Sequence, residues 1–398
     1  MADAFFVVKL GDKMKNLIVL LLVLVGTTIM SQLSLRLELP TVVGQLIAGV
    51  VLGPAFLNWI QPSTFVTDLA NLGVILLMFI AGLESNLQLL KRYLKPSVIV
   101  ASCGVLLPMV IMPLIGEQIH LSLAKALFLG VTFSATSVSI SVEVLQEMGQ
   151  LKTQAGTTIL GAAVADDVIS VVLLSLVGTF THENVSGSAI QNWGIWPAAL
   201  CQILYFILIW WFVKTGVRIL FRITGYLLVA RIKAILGLLV CFGLAILAEV
   251  TGLSSITGAF FAGIAVGQTK ARSAVSRQIL PLGNLIPIPV FFISIGLNMT
   301  LSGIVRNWGL LIVLVIAAVL TKLFGAGIGA LACRYSLRKS AVVGAGMISR
   351  GEVALIIAQL GYQSRLLSVG IYSTVVSAVI LTTILAPVML KSLVTSNN

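Results

Sequence analysis

The sequence predicts an all-α polytopic membrane protein of about thirteen transmembrane helices, arranged as two inverted repeats. Three observations predict this fold class: the composition, a succession of long apolar runs, and a glycine pattern that recurs at a fixed spacing. Of the 398 residues, 59% are hydrophobic and only 10% are charged. Because a soluble domain carries about 25% charged residues, the composition excludes a soluble enzyme, a secreted disulfide scaffold and a disordered chain.

The apolar runs predict the individual spans, at roughly 20 residues per bilayer crossing. They lie at about residues 15–35, 40–58, 65–85, 95–115, 122–147, 154–180, 194–224, 232–250, 253–269, 281–303, 306–334, 339–361 and 368–394. We expect one membrane transporter domain over 1–398, with repeats at about 15–180 and 232–394 and a connector helix at 194–224. No soluble regulatory domain is expected.

The basic residues predict the orientation in the membrane. Of the 25 Lys and Arg residues, 17 fall on the side that carries the C-terminus and six on the other, while Lys322 and Arg350 lie within spans. Because cytoplasmic loops are enriched in Lys and Arg, we expect a multi-pass protein of the inner (cytoplasmic) membrane with a cytoplasmic C-terminus and an external N-terminus. The net charge of +12 then reflects orientation and not a nucleic-acid partner.

The sequence gives no sign of a cofactor. The four cysteines lie in apolar runs without a CxxC pair or a neighbouring histidine, so we interpret them as small buried hydrophobic residues and not as a metal or redox site. A GxxxxGK[ST] phosphate-binding loop is also missing from the sequence, which argues against an ATP-driven pump.

The second and ninth runs share a pattern at a constant offset of 214 residues. Leu39, Gly44, Ala48, Gly49 and Gly53 recur as Leu253, Gly258, Ala262, Gly263 and Gly267. The same offset relates Gly82 to Gly296. These runs are an odd number of crossings apart, so the repeats are inverted. Inverted repeats are typical of secondary transporters, whose sites lie at the midplane between broken helices; the alternative is that the glycines simply pack helices together.

Five ionisable residues fall near the middle of predicted spans: Asp166, Asp167, Lys322, Arg350 and Glu352. Each charge at bilayer depth costs about 3 kcal/mol on insertion scales, so these residues must pair with one another or line a wet cavity. Two interpretations remain open. They form static salt bridges, above all between Arg350 and Glu352, or they form a transport site.

The adjacent carboxylates of Asp166 and Asp167 favour transport. One lysine cannot neutralise both, so one carboxylate must be met by a proton or a cation. Oxygen ligands suit hard cations such as Na⁺ or Li⁺. A group that holds either a proton or a cation, but not both, is the minimal site of an exchanger, and the expected partners are therefore a monovalent cation and a proton, with no enzymatic reaction.

Two polar segments predict interrupted helices beside this site. Residues 133–139 are rich in Ser and Thr, including Thr136 and Ser137, and residues 349–352 lie in register with them at the same offset of 214. Hydroxyls and freed carbonyls at such interruptions could complete a cation shell. Ordinary Ser and Thr packing between helices is the alternative.

At these residues the chain resembles the bacterial monovalent cation:proton antiporter-2 family, in particular its NapA-type sodium/proton antiporters. The resemblance is carried by segments 39–54 (LPTVVGQLIAGVVLGP), 81–84 (AGLE), 135–137 (ATS), 165–167 (ADD), 321–322 (TK) and 349–352 (SRGE). It implies the sodium/proton antiporter fold, with a dimerisation domain, a mobile core domain that contains two crossed, unwound helices, an elevator-like alternating access, and a homodimer.

The resemblance also implies roles for individual residues. Asp167 would be the main cation ligand, Asp166 would pair with Lys322 and release it when the ion binds, and Thr136 would lie at the crossover. An Asp-Asp pair is typical of electrogenic members. The function implied is exchange of Na⁺ or Li⁺ for H⁺ in pH homeostasis. A K⁺/H⁺ antiporter, a sodium-coupled solute symporter and a channel or ion-sensing receptor are the alternatives.

Overall fold

A computed structural model describes residues 12–37, 39–181, 195–223, 231–251, 253–299, 307–363 and 366–395. Within these ranges the regular structure is helical throughout, which confirms the predicted all-α class. The polar loop at 182–192 and the N-terminal residues 1–11 lie outside the described residues.

The helices are numbered in chain order. The first half forms α1 (Asp12–Arg36), α2 (Thr41–Leu52), α3 (Thr64–Glu84), α4 (Leu87–Arg92), α5 (Leu94–Gln118), α6 (Leu123–Ser134), α7 (Val138–Glu147) and α8 (Gln154–Thr181). The connector forms α9 (Ile195–Trp211), a π-helical turn (Phe212–Gly216) and α10 (Val217–Ile223). The second half forms α11 (Ile232–Val250), α12 (Ser255–Gly267), α13 (Arg272–Leu285), α14 (Pro287–Leu297), α15 (Trp308–Ala332), α16 (Leu337–Gly346), α17 (Glu352–Gln363) and α18 (Val369–Thr395).

The length and hydropathy of these helices fit a polytopic membrane protein. Among the described residues, eight helical segments are long and apolar enough to cross a membrane, two of them being the pairs α6–α7 and α13–α14. Three further apolar helical stretches are shorter, at Thr41–Leu52, Leu200–Gly216 and Ser255–Gly267. The sequence and the structure therefore agree on the class of protein.

The structure differs from the sequence-based expectation at two places. The predicted run at 281–303 begins too late, because α13 already starts at Arg272 with a polar first half that apolar counting passes over. The chain then bends at Ile286, directly before Pro287, where α14 begins. The short helix α4 was not predicted; the side chain of Asn86 caps it by accepting from the backbone N–H of Gln88 and Leu89, since Asn is a preferred N-cap residue.

The helices pack into two bundles. The first bundle contains α1, α2, α3, α11, α12, α13 and α14, and the second contains α5, α6, α7, α8, α15, α16, α17 and α18. Between the bundles, α7 contacts α2 and α3, and α18 contacts α2. Helix α9 and its π-helical turn lie against α8 of the second bundle and α12 of the first.

The helix bounds repeat at the offset found in the sequence. Helix α5 (Leu94–Gln118) and helix α15 (Trp308–Ala332) differ by 214 at both ends. The breaks agree as well, since α7 begins at Val138 and α17 at Glu352. The repeat therefore extends beyond the glycine pattern to these helices and to the breaks.

Close glycine contacts in the first bundle show the same symmetry. A Cβ atom on Gly49 of α2 would lie 3.0 Å from the Cα of Gly296 of α14, and one on Gly263 of α12 would lie 2.8 Å from the Cα of Gly82 of α3. The offset of 214 maps one contact onto the other. Both interfaces therefore require glycine, because a Cβ atom would clash with the facing helix. The glycines thus pack helices together and also follow the repeat.

Candidate functional site

Two broken helices meet in the second bundle. Helix α6 ends at Ser134 and α7 begins at Val138, while α16 ends at Gly346 and α17 begins at Glu352. The linking segments contact each other directly: the backbone N–H of Ser137 donates to the carbonyl oxygen of Ser349 at 2.8 Å, and the Ser349 hydroxyl donates to the carbonyl oxygen of Ser137 at 2.9 Å. The predicted interruptions are confirmed, and the two links cross.

Hydroxyl groups satisfy part of the exposed backbone at the crossing. Thr136 Oγ1 donates to the carbonyl oxygen of Met347 at 3.5 Å, and Thr383 of α18 donates to the carbonyl oxygen of Arg350. The hydroxyl oxygen of Ser137 is buried and has no hydrogen-bond partner in the described part of the chain. Because helix ends leave four carbonyls or four N–H groups without an intrahelical partner, this crossing concentrates oxygen atoms inside the bundle.

Arg350 is fully buried at the crossing. Its guanidinium donates to the carbonyl oxygen of Phe133 at 2.8 Å, to that of Ile348 at 3.0 Å and to that of Ala318 at 3.0 Å. It also lies 5.3 Å from the centroid of the Phe133 ring. A positive charge at the C-terminal end of α6 is favourable because the helix dipole is negative there.

These contacts change the interpretation of the Arg350 charge. The residue lies in an extended link and not inside a helix, and its five N–H donors meet main-chain carbonyls from three segments. Arg350 therefore fastens the ends of broken helices together. The side chain of Glu352 lies outside the described part of the structure.

The two carboxylates of α8 point toward different bundles. Asp166 is fully buried, and its Oδ2 lies 3.4 Å from Nζ of Lys322 on α15, which is also fully buried. The other carboxylate oxygen of Asp166, Oδ1, is buried without a hydrogen-bond partner in the described residues. The structure thus brings together Asp166 and Lys322, as the family resemblance implied.

Asp167 lies at the boundary with the first bundle. It is buried, with 8% exposure, and its Oδ2 accepts a hydrogen bond of 2.9 Å from the hydroxyl of Thr257 on α12. Successive helical residues are about 100° apart around the axis, so α8 can present one carboxylate to its own bundle and the next to its neighbour. The pair therefore lies where the two bundles meet.

Thr257 is a residue that the sequence analysis missed. It is 2% exposed and belongs to the apolar run that carries the repeated glycines. At the offset of 214, its counterpart in the first repeat is Val43. Valine and threonine have nearly the same shape, so the substitution preserves packing and adds a hydroxyl in only one copy of the repeat. That difference between the two copies is the sequence signal that could have identified Thr257.

Comparison with known proteins gives a consistent result. Residues 19–396 match a family model described as the sodium/hydrogen exchanger, transmembrane. The chain is 44% identical to a Na⁺/H⁺ antiporter of Enterococcus hirae, over 90% of this chain and 92% of that one. It is 41% identical to the Na⁺/H⁺-K⁺ antiporter GerN of Bacillus cereus, over 93% and 94% of the two chains.

A solved structure shows the same fold. The sodium proton antiporter MjNhaP1 from Methanocaldococcus jannaschii matches with a TM-score of 0.70 over 97% of each chain, at 16% sequence identity. At that identity the match concerns the fold.

Proposed function

Because the chain belongs to the sodium/hydrogen exchanger family, whose members are transporters, we propose that it exchanges Na⁺ or Li⁺ for H⁺ by alternating access. Within that family we assign it to the NapA-type antiporters of the cation:proton antiporter-2 group. The proposal includes an electrogenic exchange, a homodimer in the inner membrane, and a cytoplasmic C-terminus. K⁺/H⁺ exchange is the second candidate, since the relative from Bacillus cereus carries K⁺ in its name.

The observation that supports the proposal most directly is the incomplete hydrogen bonding of the buried Asp166 carboxylate. One of its oxygens contacts Lys322, and the other is buried without a hydrogen-bond partner in the described residues. Leaving such an oxygen unsatisfied costs about 1–3 kcal/mol. A proton or a hard monovalent cation bound there would remove that cost, and a second carboxylate follows directly on the same helix.

The surrounding oxygen atoms suit a cation. Asp166 and Asp167 supply carboxylates, and the Ser137 hydroxyl is buried without a partner in the described ranges. Helix α8 packs against both α6 and α7, so the crossing at Thr136 and Ser137 adjoins it. We propose Asp166, Asp167, Thr136 and Ser137 as the cation and proton site, with Na⁺ held mainly by Asp167.

The charge partners have separate roles in this proposal. Lys322 neutralises Asp166 when the cation is absent and is released when the cation binds. Arg350 keeps the crossing assembled through its carbonyl contacts, and we assign Glu352 to the same group of charges on the resemblance alone.

Alternating access follows from the position of Asp167 between the bundles. In this proposal the second bundle is the mobile core and the first is the dimerisation domain, with the connector at 194–224 between the repeats. Movement of the core requires the hydrogen bond from Thr257 to Asp167 to break and re-form. The presence of this hydrogen bond thus distinguishes one arrangement of the two bundles from the others.

The test is cation-dependent dissipation of a pH gradient by the purified protein in liposomes, followed with a pH-sensitive dye. Na⁺ and Li⁺ are expected to dissipate the gradient, and Asp167→Asn is expected to abolish the effect. Asp68→Asn is the matched control, because Asp68 is an exposed carboxylate of α3 and should leave exchange unchanged.

Further measurements in the same liposome assay distinguish Na⁺/H⁺ exchange from K⁺/H⁺ exchange and from a channel. Dissipation by K⁺ alone would replace Na⁺/H⁺ exchange by K⁺/H⁺ exchange, and unaltered exchange by Asp167→Asn would refute the proposed site. An imposed membrane potential, worth about 2.3 kcal/mol per charge per 100 mV, should change the rate if exchange is electrogenic. Flux that does not saturate, or that needs no countergradient, would indicate a channel.

A further inference from the structure

A cavity of about 530 Å³ lies beside the connector, and its lining includes neither Asp166 nor Asp167. Its walls come from α4, α5 and α8 on one side and from α9, the π-helical turn and α12 on the other. Its volume falls within the range of about 300–1,000 Å³ that is usual for ligand sites. Its lining is mostly apolar, and the described residues that form it include no carboxylate.

The apolar part of the cavity extends along the helices for about two turns. On α12 it is lined by Phe260 and Ile264, and Gln268, which caps the C-terminal end of α12, follows four residues later on the same face. At 1.5 Å per residue, that stripe is about 12 Å long. The polar Gln268 marks the end near the helix terminus, and Phe260 lies two turns further into the bundle, so the cavity has a polar end and an apolar interior.

Two lysines line the cavity together with this apolar surface. Lys91 lies in the last turn of α4, and Lys214 lies on the π-helical turn. Nζ of Lys214 is 5.0 Å from the centroid of the Trp210 ring, another residue of the lining. π-helical turns in otherwise α-helical segments occur frequently at functional sites, and this one holds a cation beside an aromatic wall.

We propose that this cavity binds an anionic phospholipid, with the phosphate at Lys91 and Lys214 and an acyl chain along the apolar stripe of α12. Basic pockets between transmembrane helices bind anionic lipid headgroups. A free phosphate would use the lysines and leave the apolar lining exposed to water. A peptide would bury backbone groups against a wall with few hydrogen-bonding partners, which is costly.

The walls of the cavity belong to both bundles and to the connector between them. The lipid therefore binds one relative arrangement of α8 and α12 better than others, and by linkage it stabilises that arrangement. Lipid binding can be measured in the absence of the transported ion. Loss of lipid binding and loss of exchange are consequently separate results.

The test uses the purified full-length protein in detergent with three probes: dioleoyl phosphatidylglycerol, dioleoyl phosphatidylcholine and inorganic phosphate. Native mass spectrometry counts the retained lipids, and thermal unfolding measures stabilisation. Phosphatidylglycerol is expected to stay bound and to raise the unfolding temperature, whereas phosphatidylcholine and phosphate are expected to do neither.

Substitutions inside and outside the cavity test whether the lipid binds there. The pair Lys91→Gln and Lys214→Gln should weaken phosphatidylglycerol binding about 30-fold, which corresponds to about 1 kcal/mol for each basic residue. The pair Lys233→Gln and Lys391→Gln removes the same charge from residues that do not line the cavity and should leave binding unchanged. Leu90→Trp, a substitution in the lining, should reduce lipid binding without changing any charge.

Three results would overturn the proposal. Equal retention of phosphatidylglycerol and phosphatidylcholine would show that the lysines select no headgroup. Stabilisation by phosphate alone would reveal a small-anion site. An equal loss of phosphatidylglycerol binding in the two double-lysine variants would show that the net charge of the surface, and not this cavity, attracts the lipid.

Discussion

The buried contact between Lys322 and Asp166 makes a quantitative prediction about stability. Both residues are fully buried, and Nζ lies 3.4 Å from Oδ2. Replacing Lys322 by Met keeps the side-chain volume and removes the charge, so the Asp166 carboxylate loses the partner of one oxygen while its other oxygen already lacks a hydrogen bond in the described residues. Removing one member of a buried pair typically costs about 3–5 kcal/mol.

The double variant separates the cost of the charge from the cost of the altered packing. When Lys322→Met is combined with Asp166→Leu, no buried charge remains at this contact, and replacing a whole buried pair by apolar residues is often neutral. We therefore expect the double variant to recover most of the 3–5 kcal/mol lost by Lys322→Met and, under the proposed mechanism, to lose exchange.

The assay is unfolding of the purified variants in detergent, analysed as a double-mutant cycle. Lys233→Met is the control, because Lys233 is exposed at the start of α11 and should change stability by less than about 0.5 kcal/mol. A double variant as unstable as the sum of the two single variants would refute the reasoning, since the two groups would then contribute independently.

Three further predictions concern packing, the inter-bundle hydrogen bond and the crossing. Gly263→Ala places a Cβ 2.8 Å from the Cα of Gly82 and should cost about 1–3 kcal/mol in thermal unfolding; Gly243→Ala meets no atom within 4 Å and should be neutral or stabilise by up to about 1 kcal/mol. Thr257→Val should raise the Na⁺ concentration for half-maximal exchange at least about tenfold, because a hydrogen bond to a charged group is worth about 1.5–3 kcal/mol and each 1.4 kcal/mol is a factor of ten, whereas Thr257→Ser should behave like the parent protein. Arg350→Lys should lower stability by at least about 3 kcal/mol, since an ammonium cannot reproduce the forked contacts to three carbonyls; unchanged unfolding would contradict that role.

Much of the scaffold was predictable because it depends on local patterns. Apolar runs set the spans, and small residues at a fixed offset set the repeat. The Ser- and Thr-rich stretch around Thr136 predicted a helix break because hydroxyl side chains compete for backbone hydrogen bonds. The buried charges Asp166 and Lys322 stood out because charged residues are rare in so apolar a chain.

The partners of the buried side chains were less predictable. Every residue has a carbonyl group, so no pattern of side chains reveals that Arg350 donates to the backbone of Phe133 and Ala318. The contact between Thr257 and Asp167 depends on how α12 and α8 lie against each other, and these residues are 90 positions apart. The apolar pattern fixes which helices are buried but not which residues of two distant helices meet.

The repeat is symmetrical in its backbone and asymmetrical in its charges. At the offset of 214, Asp166 and Asp167 correspond to Ile380 and Leu381, and Lys322 corresponds to Pro108. Ile380 and Pro108 are buried, so the second copy of this contact is apolar. The charged contact between Asp166 and Lys322 therefore occurs only once among these two symmetry-related positions.

This asymmetry has a physical reason. Each buried ionised group costs several kcal/mol of desolvation, and a second charged pair at the symmetrical position would double that cost. The inverted backbone needs no second site to serve both faces of the membrane, because its two halves can exchange conformations around a single one. In the proposed mechanism, one carboxylate pair in each chain binds either the cation or the proton in turn. Thr257, where the other repeat has Val43, connects that pair to the neighbouring bundle through its hydrogen bond to Asp167.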